Sequence, residues 1–522
     1  MAKSNDKSLK ADNRVFYTSL IVIIPICLWA ILSSESFTNA VNSAFNFFTS
    51  RFSWLYLLSM LIFVGFALWL AFSKFGNIKL GANDSKPDYK TSSWFALLFG
   101  SGMGIGLVFW GAAEPISHFL YPKAGIDPTS AEAAAFAMKS SFLHWGIHPW
   151  AAYSIIGLSL AYFQFRKGKS GLISNLFEPL IGDRVHGLLG VVIDTLAVFA
   201  TVAGIATSLG LGTLQINSGL SYIFNIENTI RSQLIIIAIT TVIFIWTAVS
   251  GIDKGMKILS DINLATAAIV TVVVLLIGPT IQIINGFVGG LGGYLQNIFA
   301  DSMNISAYGD NTWAGKWTIF YWAWWIAWAP FVGTFIARIS KGRTIREFVF
   351  GVMIAPAIAS FIFFSVFGTL GIDLFMKGTV TGPQLADMTK DISITLFSVL
   401  SHYSLGTIIS LVAIFLLLTF FVTSANSATF VLGMFTSNGD LNPSNKRKII
   451  LGITQSLLAI SLLLTGGLEA LQTASLLAAF PFIFIMFFAC VSLFKSLKEE
   501  DLNAVNEQML KDKALKRKEA QF

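Results

Sequence analysis

Residues 94–113 read Trp94-Phe-Ala-Leu-Leu-Phe-Gly100-Ser-Gly102-Met-Gly104-Ile-Gly106-Leu-Val-Phe-Trp110-Gly-Ala-Ala113. A stretch of about 20 residues without a charge is the length that crosses a bilayer core as a helix. Yet four glycines fall at alternate places within it, and each helix-interior glycine costs ~1 kcal/mol relative to alanine. The expectation is a span that unwinds at its middle and exposes carbonyls. Unwound backbone at membrane depth is tolerated only where it lines a cavity or is buried in protein. Two readings stay open: an ion or substrate site at the break, or tight packing through the small faces Gly100/Gly104 and Gly102/Gly106.

The rest of the chain agrees with a membrane setting. Of 522 residues, 55% are hydrophobic and only 12% charged, against ~25% charged in soluble domains. That excludes a water-soluble enzyme, a disordered chain and a disulfide scaffold. Cys27 and Cys490 both lie in apolar runs and are expected buried rather than paired. Apolar stretches predict twelve spans, near 15–33, 54–73, 94–113, 140–164, 188–214, 232–250, 262–285, 313–337, 348–372, 404–436, 448–468 and 472–494.

Lysine and arginine set the orientation. Threading the chain through twelve spans puts 28 of the 35 basic residues on the side of the two tails. Both termini are therefore expected in the cytoplasm of a bacterial cell, in a multi-pass protein of the cytoplasmic membrane. The same sorting accounts for the net charge of +7 and argues against nucleic acid, which needs one basic patch with stacking rings.

The spans divide as two peripheral helices followed by two sets of five. The predicted parts are 1–93, the cytoplasmic N-tail with the two peripheral spans; 94–285, the first set; 286–312, a glycine-rich linker expected as a short amphipathic helix on the outer surface; 313–495, the second set; and 496–522, the cytoplasmic C-tail. An odd number of spans per set makes the second enter the membrane in the opposite sense, the inverted-repeat plan of many secondary transporters. Each set is expected to open with an interrupted helix.

The helix opening the second set reads Trp317-Thr-Ile-Phe-Tyr321-Trp322-Ala-Trp324-Trp325-Ile-Ala-Trp328-Ala-Pro330-Phe331, and six of the 14 tryptophans lie between 313 and 328. Tyr321, Trp324, Trp325 and Trp328 fall within an arc of about 100° on a helix. Trp313 and Trp317 suit an interfacial belt; the deeper rings do not. A second group, Trp145, Trp150 and Tyr153, lies in the fourth span, which Pro149 is expected to kink. Stacked ring faces hold a quaternary ammonium, which offers no hydrogen-bond donor, at ~2 kcal/mol or more per desolvated contact. Cation binding and lipid-facing packing both remain open at this point.

Gly102-Met-Gly-Ile-Gly106 with Trp110-Gly-Ala-Ala-Glu-Pro115, the His144-Trp…Pro-Trp150 run, and Trp322-Ala-Trp-Trp…Trp-Ala-Pro-Phe-Val-Gly333 followed by Ala337-Arg-Ile-Ser-Lys-Gly-Arg-Thr-Ile-Arg-Glu347 resemble the betaine/choline/carnitine transporter family over essentially the whole chain. The resemblance implies an all-α membrane fold of LeuT type, ten core helices behind two N-terminal ones, and a homotrimer. It implies a substrate cage of Trp145, Trp150, Tyr153, Trp324, Trp325 and Trp328, with Met103 and Ser208 contributing. It implies sodium as coupling ion, on backbone carbonyls of Gly100, Met103 and Phe420 with the hydroxyls of Thr423 and Ser424, and a second position at Thr201 and Phe331. Oxygen-only ligation suits a hard cation. At that second position Ile205 stands where some members add a threonine, and Asn426 stands where many carry aspartate.

Within the family, proton-coupled choline members tend to carry Asp where this chain has Gly106, which is expected to leave room for a zwitterion. The implied function is sodium-coupled import of glycine betaine or a related quaternary-ammonium compatible solute, for osmoprotection, without a further cofactor. A proton-coupled choline transporter or a sodium-independent carnitine transporter is the alternative.

The remaining charges carry weaker expectations. Asp194, inside the fifth span, is either functional or paired with an arginine such as Arg338. Glu114 either caps or gates the broken helix or is an outer-loop acid beside Pro115. His144 and His148 are four apart with no third ligand in sight, so no metal beyond sodium is expected. An embedded enzyme would need converging nucleophile, base and orienter, and none is legible. The basic cluster Lys511–Lys518 in the tail either binds anionic lipid or belongs to a solvated helix.

Overall fold

The computed structural model describes residues 13–102, 104–251 and 253–519, and over these the regular elements are all helices, joined by turns and loops with one isolated bridge between Lys79 and Thr344. In chain order the helices are α1 (Arg14–Leu32), α2 (Ser34–Phe72), α3 (Thr91–Gly102), α4 (Ile105–Leu120), α5 (Ala131–Trp145), α6 (Ile147–Ala161), α7 (Glu178–Ile181), α8 (Leu188–Phe224), α9 (Ile230–Val249) and α10 (Asp253–Ile277). There follow α11 (Thr280–Ser302), α12 (Thr312–Ala314), α13 (Phe320–Ile339), α14 (Ile345–Met376), α15 (Gly382–Thr389), α16 (Thr395–Leu400), α17 (Gly406–Phe435), α18 (Asn445–Lys498) and α19 (Leu502–Glu519). Among the described residues, nine helices are long and apolar enough to cross a membrane, or ten if the bent pair α3 and α4 forms one span.

Burial separates centre from rim. In the segment Thr312–Ile339, 94% of the apolar stretch is buried inside the protein, against 17% for α9 and 11% for α10. The outer helices turn stripes of aliphatic side chains outward: Ile235, Ile239 and Val242 on α9, and Ile262, Ile269, Val272 and Leu276 on α10. Such stripes at helical spacing suit hydrocarbon and would be a liability in water. The tryptophan-rich α13 packs on α6, α8 and α18, and α8 packs on α17 and α18.

Where the helices break has local causes. The glycine run does interrupt its span: the two halves meet at 70°, with Gly104 extended at φ −155°. The fourth span breaks at Gly146, between α5 and α6, and not at Pro149. Pro149 instead sits in the first turn of α6, where a missing N–H costs nothing. The helix opening the second set has no such break: Thr312 to Ile339 continues through a single π-helical turn over Gly315–Ile319. Near the C-terminus one helix, α18, covers both stretches expected at 448–468 and 472–494, and departs from helical geometry at Gly467, whose φ of 54° favours glycine.

Asp194 is buried within α8 and structurally employed. The backbone N–H of Ser174 donates to one of its carboxylate oxygens at 2.9 Å and the Ser174 hydroxyl to the other at 2.7 Å. Of the two readings, the arginine pair gives way to a serine at the start of a 3-10 turn; Arg338 lies over the Phe430 ring at 4.8 Å. Both cysteines are free and buried.

The start of the C-terminal segment is docked on the bundle, while the side chains of the Lys511–Lys518 cluster from residue 513 onward lie outside the described residues. Glu500 accepts from Arg166 Nε and Nη2 at 2.8 and 2.6 Å and from the Tyr162 hydroxyl at 2.7 Å, with Lys167 Nζ at 2.9 Å. Lys79, on the α2–α3 loop, reaches Asp512 of α19 at 2.8 Å. Burial would raise the Glu500 carboxyl, but the hydrogen bonds from Arg166, Lys167 and Tyr162 outweigh it and hold it lowered to about 2. A carboxyl held below its ordinary value of 4.5 stabilises docking fully above that value and loses the contribution as pH falls from there toward 2. A spin label on Asn506→Cys should therefore keep constant mobility from pH 8 to pH 5 and loosen at lower pH, whereas Glu500→Gln should loosen it at every pH. A label as immobile in that variant as in the parent would show that the anchor lies elsewhere.

Candidate functional site

The two aromatic groups of the sequence meet in one buried cluster. None of Trp145, Trp150, Tyr153, Trp324, Trp325 and Trp328 is more than 7% exposed, which rules out the lipid-facing reading. Trp324 and Trp325 stack with centroids 4.7 Å apart and planes at 15°. Trp145 stands edge-on to Trp325 at 4.8 Å and to Trp324 at 6.2 Å. Tyr153 meets Trp325 at 6.5 Å and Trp150 at 5.5 Å, while Trp328 meets Trp324 at 6.2 Å, all near perpendicular.

Indole N–H groups fix these rings to neighbouring helices. Trp325 donates to the His144 carbonyl on α5 at 2.9 Å, and Trp328 to the Gly204 carbonyl on α8 at 2.8 Å. Ser208, one turn on, donates to that same Gly204 carbonyl at 3.3 Å and is buried beside the box. Trp145 donates to Glu114 Oε2 at 2.8 Å. The Trp324 N–H is buried and has no partner. Ring orientation therefore follows from the packing of α4, α5, α8 and α13, which gives the box fixed faces.

Gly106 sits at its wall. A Cβ there would come within 2.6 Å of Trp324 Cη2 and 3.1 Å of Trp145 Cη2. The space that the sequence reading reserved beside Gly106 is thus filled by the two rings, and glycine is what lets the α4 backbone approach them.

The residues expected around sodium are partly assembled. Met103 lies outside the described residues. Gly104, at the break, faces α17: a Cβ on it would be 3.7 Å from Ser424 Oγ. Thr423 is buried on α17 and its hydroxyl donates to the carbonyls of Thr419 and Phe420 at 3.0 and 3.2 Å. Gly100 is exposed, with open space where a Cβ would point. At the second position, Thr201 donates to Ala197 O at 2.8 Å within α8, and Phe331 packs on Trp328 at 5.8 Å. Asn426 donates to Thr247 of α9 at 3.0 Å.

Glu114 is the residue that sequence reasoning misplaced. It is fully buried in α4 and carries neither a helix cap nor a loop. Its Oε2 accepts from the Tyr321 hydroxyl at 2.6 Å as well as from Trp145. Its Oε1 faces His144 Nδ1 at 2.6 Å and His118 Nε2 at 3.3 Å. The other two members of this three-residue cluster, besides His144, were therefore present in sequence as an i,i+4 pair, Glu114 and His118. Their ligand atoms and those of His144 lie within 4.8 Å of one another, close enough to hold a metal by position alone. His148 takes no part: its ring stacks on Trp322 at 4.8 Å and Nε2 lies 2.8 Å from the Ser302 hydroxyl.

Comparison with known proteins gives this arrangement a context. The model of the betaine/carnitine/choline family of transporters matches residues 14–502. The chain belongs to this family. It is 48% identical to the glycine betaine transporter OpuD of Bacillus subtilis, over 94% of this chain and 96% of that protein. It is 44% identical to an ectoine/hydroxyectoine transporter of Virgibacillus pantothenticus, over 94% and 98%. It is 39% identical to a glycine betaine transporter of Acinetobacter baylyi, over 95% and 75%. The protein is thus a multi-pass membrane transporter, and the aromatic box lies among its most buried helices.

If Gly106 is the close-approach position described, Gly106→Ala must displace a ring. Forcing a methyl into a packed site costs about 1–3 kcal/mol, so thermal unfolding of the purified variant should begin several degrees below the parent. An unchanged midpoint would mean that Trp324 swings aside freely.

Proposed function

We propose that the protein is a sodium-coupled symporter that imports glycine betaine or a related trimethylammonium compatible solute across the bacterial cytoplasmic membrane, for osmoprotection. The observation that carries the reading is the box of six buried rings on α5, α6 and α13. A trimethylammonium group has no N–H to donate, so ring faces are what recognises it. Its tests are direct: uptake of labelled betaine into proteoliposomes should require sodium and generate current, because a net-neutral zwitterion moves with a cation. Uptake driven by a proton gradient in sodium-free buffer would favour the choline-type alternative. Trp325→Ala should abolish saturable uptake while Trp325→Phe keeps part of it. Equal transport by both variants would reduce the box to packing.

The ion reading is supported by the break between α3 and α4 facing Ser424. In this proposal Gly100, Met103 and Phe420 offer carbonyls, Thr423 and Ser424 hydroxyls, and Thr201 with Phe331 mark a second position. Removing one oxygen from a hard-cation site weakens it directly. Thr423→Ala should therefore raise the sodium concentration for half-maximal uptake several-fold and shift the betaine requirement less at saturating sodium. Equal shifts in both would argue for general damage.

The architecture proposed with this function has twelve spans in a LeuT-type arrangement, two inverted sets at 94–285 and 313–495 behind the two peripheral helices, with the linker 286–312 outside, the tail 496–522 inside and three copies per assembly. Nine long apolar helices and the bent α3–α4 pair support ten of these spans among the described residues; the proposal counts the α5–α6 pair broken at Gly146 and a division of α18 at Gly467 as the other two. A cavity of about 440 Å³ lined by Trp110, Trp317, Lys316, Glu469 and Gln472 offers the entry route, since Trp110 packs on Tyr321 at 5.8 Å.

A further inference from the structure

A carboxylate fully buried behind an aromatic box needs a reason. Among the described residues the ion-pair partners of Glu114 are two imidazoles, His118 and His144. Indole N–H can only donate, so Oε2 is an acceptor for Trp145. Tyr321 also donates to Oε2, and with the tautomers that place an N–H on His144 Nδ1 and His118 Nε2 both oxygens are engaged by donors and the group is a carboxylate. As it stands, the closest pair in the cluster is hydrogen-bonded rather than spaced for a shared metal. Tetrahedral zinc with ~2.0–2.1 Å bonds separates its ligand atoms by about 3.3 Å, whereas Glu114 Oε1 and His144 Nδ1 stand 2.6 Å apart, a hydrogen bond.

The charge lies one hydrogen bond behind the rings. Trp145 is edge-on to Trp325 at 4.8 Å, and Tyr321 is stacked on Trp325 at 5.8 Å. Trp325 in turn donates to the carbonyl of His144, whose imidazole faces the same carboxylate. The attraction of a ring face for a cation is electrostatic, set by electron density over the ring. Donating an N–H or O–H to an anion pushes density into the ring, and in a dry interior that polarisation is weakly screened.

We propose that Glu114 is the buried counter-charge of the box: through Trp145 and Tyr321 it makes the site selective for a positively charged head group over a neutral one of the same shape. The inference rests on the trimethylammonium reading above and adds a residue that does not touch the substrate.

The test compares glycine betaine with 3,3-dimethylbutyrate, its isostere with carbon in place of nitrogen, as competing ligands of the purified full-length protein, read by tryptophan fluorescence. Glu114→Gln keeps the size and one acceptor but removes the charge. The Kd of betaine should rise about ten-fold, while that of the isostere stays the same or falls, because an anion is no longer repelled. A parallel rise of both would make Glu114 a structural prop and overturn the proposal, as would no change in either. A parent protein that binds no trimethylammonium solute would sink the underlying reading and this one with it, a result separate from a parent that binds while the variant shows no shift. Should Glu114→Gln fail to fold, Trp145→Phe cuts the same link while keeping a ring face. The betaine-to-isostere preference should then fall about three-fold or more, and an unchanged preference overturns the proposal.

Discussion

Inside a bilayer no water is at hand to satisfy a polar group, so each one must find a partner within the protein. That constraint organises this structure. In the aromatic box three indole N–H groups follow it, going to a carbonyl on α5, a carbonyl on α8 and a carboxylate on α4, while that of Trp324 is left without a partner. The hydrogen bonds that remove the polar cost of burying tryptophan also decide which way the rings face. Asp194 follows the same rule at the rim of the bundle, where a folded-back loop brings Ser174 to both carboxylate oxygens. Helical backbone satisfies itself; where α3 gives way to α4 it does not, and α17 brings Ser424 to face that break.

Much of this was legible in the chain because the signals are periodic or compositional. Charge-free stretches marked the spans, alternate glycines marked the break, and the arc of Tyr321, Trp324, Trp325 and Trp328 marked a common face. Residues from distant segments, Trp145 to Tyr153 on one side and Trp324 to Trp328 on the other, could be paired only through the resemblance to a family, and the structure brings them into contact. Other features were hidden for physical reasons. Pro149 looked like a kink, but a proline in the first turn of a helix does no harm, so the break passed to Gly146. The second opening helix was expected to unwind; its rings instead pack continuously against α6, α8 and α18, and tertiary packing of that kind overrides a local expectation.

Glu114 was misread, and the anchoring of Glu500 went unseen, for a common reason: a charge was judged by its neighbours in sequence. Beside Pro115, Glu114 looked like the end of a helix, yet Pro115 lies inside α4, and besides His118 the partners of the carboxylate come from α5 and α13, His144 and Tyr321 being 30 and 207 residues away. Glu500, one of several acids in a mixed-charge tail, owes its lowered pKa to Arg166 and Lys167 at the far end of α6. Local composition reports how many charges a segment has. It does not report which of them will be taken out of water.

The two ionic nodes then divide the molecule's electrostatics by depth. At the end where α6, the α2–α3 loop and the tail meet, Glu500 is matched by full positive charges, Arg166 and Lys167, and the node is a clamp whose net charge is not negative. Around Glu114 the partners are neutral or weakly basic donors: an indole, a phenol and two imidazoles. A guanidinium in place of those donors would cancel the carboxylate and leave the rings unpolarised. Because the donors are weak, the negative charge persists, and the groups over which it spreads are the rings of the box. A buried carboxylate costs the most when it is left uncompensated, and here the missing compensation is complementary to a cation arriving in the box. The cost of burying Glu114 is offset in part when that cation arrives, which ties the stability of the occupied protein to the sign of the charge on what it carries.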